Sequence, residues 1–276
     1  MKKLYMIGLV LLFMVTGCNN GGSSDPQVKE TAINTYVDAS KKMSETNTKF
    51  DMSAKINVPK SMSVPEDVNG SVSLNGLVDI KNFKMMINGS YDDGKDAKMS
   101  AQAIIEDKMV YVLFEKNWMK LPLDSSIKVE DVDLNSTTDA KTITKIFDSS
   151  KTSEYTKTDV DGKSGYMIKL TMDKASIEKM LKDNVDLFTK GLSKEEAEEA
   201  KKELENVDLS TVDTLDIAYD LFVSEDASTI KVTNGSVKVI AAQTAVNVTD
   251  LKVTSETTTD KVTVPKAAKN AQEIGL

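Results

Sequence analysis

The chain has 276 residues, with 43 Asp or Glu against 35 basic residues, a formal net charge of −8, and a single cysteine. No histidine is present and every basic residue is a lysine, which removes the commonest general base and metal ligand and the bidentate clamp that arginine offers carboxylate or phosphate. One thiol allows neither an internal disulfide nor a thiolate zinc site, and an acidic chain with scattered lysines has no basic patch for nucleic acid.

Met1-Lys2-Lys3 is a positive start, and residues 4–15 are an uncharged apolar run of signal-peptide length, too short to span ~30 Å of hydrocarbon comfortably. Val15-Thr16-Gly17-Cys18 follows: one hydrophobic residue, two small ones, then the lone cysteine. The pattern is similar to a bacterial lipobox. That similarity implies that Cys18 receives a diacylglyceryl group and, after cleavage of residues 1–17, becomes the N-terminus of a protein held on the extracytoplasmic face of the cell membrane. An ordinary secretory peptide or an uncleaved anchor is the alternative. Cleavage takes two lysines and no acid, leaving 259 residues and a formal charge of −10. Residues 18–27 would then be the lipidated cysteine and a flexible, small, polar tether, and residues 28–276 one domain.

Asp25-Pro26 opens a helix, a capping residue followed by proline at the first helical position. Val28, Ala32, Ile33, Tyr36, Val37, Ala39 and Met43 form its apolar stripe. From Thr48 the period becomes two: Phe50, Met52, Ala54, Ile56 and Val58 alternate with polar residues. Residues 59–67 are a loop. Val72, Leu74 and residues 77–80, then Met85 and Ile87, resume the strand pattern. Asp92-Asp93-Gly94-Lys95 signals a hairpin. Met99, Ala101, Ala103 and Ile105 alternate again, residues 106–108 turn, and residues 110–114 and 118–122 complete an antiparallel meander.

Thr137-Thr138-Asp139 caps a short helix with Ile143, Ile146 and Phe147 on one side. Residues 154–160 and 165–172 are two strands joined by Asp161-Gly162. A helical stretch over 174–207 places Ile177, Met180, Leu181, Val185 and Phe188 on one face. Gly191 breaks it, and Ser193 with Glu196 forms a capping box for a charged second half. Residues 215–224, 229–240 and 245–254 are three closing strands, with a turn or bulge at Asn234-Gly235, before an Ala-Lys tail. The expected class is α+β: one large curled antiparallel sheet of about ten strands, an unclosed half-barrel, with helices packed on its concave face.

The lipobox at Cys18, the helix at 28–46, the long meander, the helical segments between strands and the closing Val262-Thr263-Val264-Pro265-Lys266-Ala267-Ala268 together resemble the LolA/LppX-type lipoproteins, in particular a Gram-positive branch. The resemblance covers nearly all of the mature chain and rests on order and pattern. It implies an apolar cavity between sheet and helices that accepts the acyl chains of lipids, lipoproteins or glycolipids. The chain departs from the lipoprotein-escorting carrier of that group in having no arginine at the cavity mouth.

Methionine adapts to varied apolar ligands, and Met85, Ile87, Met99, Ala101, Ala103 and Ile105 alternate large and small residues on inward strand positions. The same methionines would also suit an irregular core. Trp118 either caps the cavity, anchors at a membrane interface or is buried structurally. Ile143, Phe147, Ile177, Met180 and Leu181 would close the cavity from helices 138–150 and 174–190, acting as lids. The expectation is a non-enzymatic, cofactor-free binder of a lipid or other acyl-bearing ligand, anchored to membrane through its diacylglyceryl group, with any protein partner unidentified. A structural or interaction lipoprotein with a filled interior is the alternative. No carboxylate pair or Ser-Lys pair has a spacing that argues for hydrolysis.

Overall fold

The computed structural model describes residues 25–61, 64–95, 97–106, 108–122, 139–185, 189, 194–205, 209–242 and 244–273. The proposed signal segment, Cys18, tether residues 19–24, Phe188, Gly191 and Ser193 lie outside the described residues, while Pro26 and Gln27, expected in the tether, form the first turn of the first helix. The chain runs α1 (Pro26–Glu45), β1 (Asn47–Val58), β2 (Val68–Asp79), β3 (Lys84–Asp92), β4 (Lys98–Glu106), β5 (Met109–Phe114) and β6 (Asn117–Pro122). It continues through α2 (Ala140–Phe147), β7 (Thr152–Val160), β8 (Lys163–Met172), α3 (Lys174–Asp183) and α4 (Lys194–Glu205). The last elements are β9 (Val212–Ser224), β10 (Thr229–Ala241), β11 (Thr244–Thr258), α5 (Lys266–Lys269) and β12 (Gln272–Glu273).

All twelve strands belong to one curled, unclosed sheet of order β12-β6-β5-β4-β3-β2-β1-β11-β10-β9-β8-β7. Two up-and-down meanders, β1–β6 and β7–β11, are joined where β1 pairs antiparallel with β11. Only β12 is parallel, on the edge strand β6. The strand count exceeds ten because β2 and β3 are separate strands on either side of a turn at 80–83, and because the Ala-Lys tail forms α5 and β12. Asn234-Gly235 stays inside β10, just past a register shift at Val232/Asn234. Asp161-Gly162 is the β7–β8 turn, with both residues at positive φ.

Helices α1, α2 and α3 cover one half of one sheet face, called here the inner face. Asp25 accepts from the Gln27 amide and Pro26 occupies the first turn, which starts α1 where the sequence places it. Ala32, Ile33, Tyr36 and Ala39 of α1 pack with Ile143, Ile146 and Phe147 of α2 and with Ile177, Met180 and Leu181 of α3. Beneath them lie Tyr155 of β7, Ile168 and Leu170 of β8, and Ile217, Tyr219 and Leu221 of β9. Phe147 is 0% exposed, tilted against Tyr36 at 5.9 Å and Tyr155 at 6.3 Å between ring centroids. A Lys29–Asp148 ion pair of 2.7 Å ties α1 to the end of α2.

On the outer face, residues 260–273 form a strap over the lower part of β2–β6. Val262 and Ala268 bury against Leu77, Ile104 and Tyr111, with Met86, Met109, Trp118 and Val264 around them. Glu106 fastens this strap: its carboxylate meets Lys84 at 2.7 Å and Lys269 of α5 at 3.4 Å. The hydrogen bond from Lys84 holds the Glu106 carboxyl below the usual carboxylate range, with Lys269 adding to the effect.

Three outcomes are expected. Phe147→Ala empties the contact between α1, α2 and β7 and lowers the unfolding free energy by about 3–5 kcal/mol in urea titration. Glu106→Gln weakens both ion pairs of the strap, so amide exchange of residues 262–273 quickens in hydrogen-exchange mass spectrometry while α1 stays protected. The third concerns the β9–β10 turn. There Ser224 Oγ donates to Asp226 Oδ1 at 2.6 Å, and Ser228 donates through its amide (3.0 Å) and Oγ (2.9 Å). These bonds, Ser224 first, pull Asp226 from 3.8 to about 2. A folded value below the unfolded one stabilises the protein above pH 3.8, and that stabilisation is lost as pH falls towards about 2. Asp226→Asn is therefore less stable than the parent at neutral pH, and the gap between their urea midpoints closes across that window.

Candidate functional site

Residues directly opposite one another in an antiparallel ladder share a face, so the register of β1–β6 identifies every inner-face position. One row runs Phe50, Gly76, Ile87, Ala103, Val112, Met119 across six strands, and the next runs Met52, Leu74, Gly89, Ala101, Phe114, Asn117. A third runs Val78, Met85, Ile105, Val110, Leu121, and Val72, Tyr91 and Met99 stand above them. None of these side chains is charged.

No described helix packs mainly on this half of the inner face: α1 and α3 contact β1 and β7–β11, and α5 meets β5 and β6 from the outer side. Apart from Gly76, buried under the Phe50 ring, the positions are half-buried or open rather than closed over. The exposed large hydrophobic residues among those described are Met99 at 56%, Phe114 at 44% and Val68 at 41%, all on this face and all at its upper end. A six-strand row spans about 24 Å at ~4.8 Å per strand. The result is a broad apolar trough, walled on one side by the helical core and bounded by β1, where Ala54 is buried in that core.

The floor of the trough is low. A Cβ at Gly70 would come within 2.5 Å of the Tyr91 ring, and one at Gly76 within 2.8 Å of the Phe50 ring. The two aromatic side chains therefore lie flat over glycines instead of standing up from the sheet, which only a missing side chain permits. Gly89, Ala101 and Ala103 continue the shallow centre, between the larger Met85, Ile105 and Met99.

The structure divides the residues singled out from sequence into three groups. Met85, Ile87, Met99, Ala101, Ala103 and Ile105 share the inner face of β3 and β4 and face the trough. Ile143, Phe147, Ile177, Met180 and Leu181 are between 0% and 5% exposed in the helical core over β7–β9, on the other half of the sheet. Trp118 pairs across from Leu113 on the outer face and packs with the strap. Helices α2 and α3 thus meet the sheet through filled contacts, and the open apolar area lies beside them. Phe50, Met52, Leu74, Tyr91, Val112, Phe114 and Met119 belong to the trough as well. Their alternation is visible in the sequence, but the sharing of a face comes from register.

Among the described residues no group of carboxylates or thiols converges as a metal site, and no helix is long and apolar enough to cross a membrane.

No family model and no curated protein matches the sequence. Among solved structures, the chain is similar to LprF from Mycobacterium bovis, at 14% identity and a TM-score of 0.40 over 90% of this chain and 100% of that one. It is also similar to a DUF1329 family protein from Desulfovibrio piger, at 8% identity and a TM-score of 0.25 over 84% of this chain and 95% of that one. At these low scores the fold rests on the chain's own strand pairing.

Proposed function

We propose that this protein is a lipid-anchored, extracytoplasmic lipoprotein of the LolA/LppX kind that binds the acyl chains of a lipid or glycolipid on the inner face of β1–β6, without catalysis or cofactor. The observation that carries the reading is the uncharged trough. A soluble domain rarely leaves so wide an apolar surface uncovered unless something docks on it. Each methylene removed from water there contributes ~0.8 kcal/mol, so a long acyl chain laid along the rows has a sufficient driving force with few polar contacts. Methionines at the edges of the trough suit a ligand of variable shape. The absence of charge on the floor disfavours a polar or ionic ligand, whose desolvation would go uncompensated.

Anchoring rests on the sequence: Val15-Thr16-Gly17-Cys18 is the lipobox pattern, and a diacylglyceryl group on Cys18 would hold the domain at the outer surface of the membrane. The solidly packed α2 and α3 favour a trough open at its side over a cavity closed by those helices as lids. Cargo would then lie against the sheet itself, flanked by the helical core.

The mature domain, expressed without lipidation and stripped of bound lipid, is expected to gain thermal stability with phosphatidylglycerol or diacylglycerol and to show bound lipid by native mass spectrometry. Ala103→Arg, which plants a charge at the centre of the floor, should reduce that binding at least tenfold with little change in the unlipidated melting temperature. If neither co-purified nor added lipid is ever seen on the parent, the alternative of a structural or interaction lipoprotein takes its place.

A further inference from the structure

The opposite face of the same strands carries a different chemistry. Above the strap, the outer face of β2–β5 holds a groove of about 590 Å³, floored by Ser73, Asn75, Asn88, Ser90, Ser100 and Gln102. We propose that this groove is a second binding site, for a neutral glycan chain.

The floor is an ordered polar array. Asn75, Asn88, Gln102, Leu113 and Trp118 stand directly opposite one another across five strands. Gln102 Nε2 donates to Asn88 Oδ1 at 2.6 Å, and Asn88 Nδ2 donates to Asn75 Oδ1 at 2.9 Å. The carboxamides are thereby aligned in one direction, and one N–H of each, with both of Asn75, remains to serve a ligand. Ser73 and Ser90 share a hydrogen bond of 2.7 Å in the adjacent row, and Ser100 extends that row on β4. Donors and acceptors thus repeat every ~4.8 Å, a step comparable to one pyranose ring, whose hydroxyls both donate and accept. Leu113 continues the amide row as an apolar lining of the kind that receives the C–H face of a sugar, and Trp118, paired across from it and packed on the strap, lies at the groove's border as a reporter.

Other ligand classes fit less well. The floor has no charge, and at the rim Lys98 is paired with Asp92 at 2.8 Å while Glu115 sits beside Lys116, so an anionic polymer finds no net positive field. An extended peptide that adds to a sheet needs an edge, whereas β3 and β4 are paired on both sides. The groove also lies on the face opposite the trough, so this inference stands apart from the acyl-binding reading.

The mature domain is titrated with chitohexaose and with cellohexaose, followed by fluorescence of Trp118, the sole tryptophan, and by the side-chain amide resonances of Asn75, Asn88 and Gln102. At least one sugar is expected to shift these signals at millimolar concentration. Binding of both means that hydroxyls suffice, and binding of chitohexaose alone means that the acetamido group is read as well. The double variant Asn88→Ala, Gln102→Ala should weaken binding about tenfold, as expected for lost polar contacts, while lipid binding on the inner face is unchanged. Ser100→Arg, which blocks the groove from a serine on the same floor, should do the same and guards against misfolding of the double variant. Absence of any shift with either sugar, or unaltered affinity in both variants, overturns the proposal.

Discussion

Strands β1 and β11 pair along most of their length although Asn57 and Asn247, bonded across them, lie 190 residues apart. Everything on the sheet is referred to this one ladder. Each meander can form from local hairpins, but only the β1–β11 register decides that their apolar sides continue into a single inner face. A slip of one residue would turn every side chain of β1–β6 over, putting the trough on the strap side and the amides against the helices. The ladder also closes the largest loop in the fold, an entropic cost offset by continuous pairing from Asn47 to Asn57, interrupted once near Ala54.

With that register in place, the two halves of the inner face diverge. Over β7–β9 the helices supply a close-packed core in which Phe147, Met180, Ile168 and Leu221 are fully buried. Over β2–β6 the same face has equally apolar residues and no described helix. The outer face shows the complementary arrangement: its lower part is sealed by the strap through Val262, Ala268 and the Glu106 ion pairs, and its upper part is a polar array. Stability and the two proposed binding surfaces thus fall in different regions of one sheet. The helical half can hold the fold while the trough and the outer groove stay uncovered by the described helices.

Much of the architecture is legible in the residues. Period-two alternation marks β1, β4 and β8, Asp25-Pro26 and the Thr137-Thr138-Asp139 segment mark helix starts, the second capped by Asp139, and Asp161-Gly162 marks a tight turn. In the first meander, Met85 with Ile87 and Ala101 with Ala103 are also legible as sharing a face within their strands, because alternation says which residues point together, whereas the continuous apolar run at 110–114 carries no such mark. The tail was not: Gln272 and Glu273 have no strand signal of their own and pair only because β6 presents an unfilled edge. Trp118 was equally illegible, since Trp118 and Met119 are adjacent apolar residues on opposite faces, and only the pairing with Leu113 says which face Trp118 takes.

The sequence by itself determined the class of the fold, the helix caps, the alternation of the strands, the acidic lysine-only surface and the lipobox pattern at Cys18, because each depends on residues near one another in the chain. Only the tertiary structure decided that Ile143, Phe147, Ile177, Met180 and Leu181 fill a core on one half of the sheet while Met85, Met99 and Ile105 line an open trough on the other. Helical residues of the same apolar character can cover any part of a sheet. Which part they cover is set by where β1–β11 pairing and the α1–α2 contact place them, and these long-range choices leave no local mark in the chain.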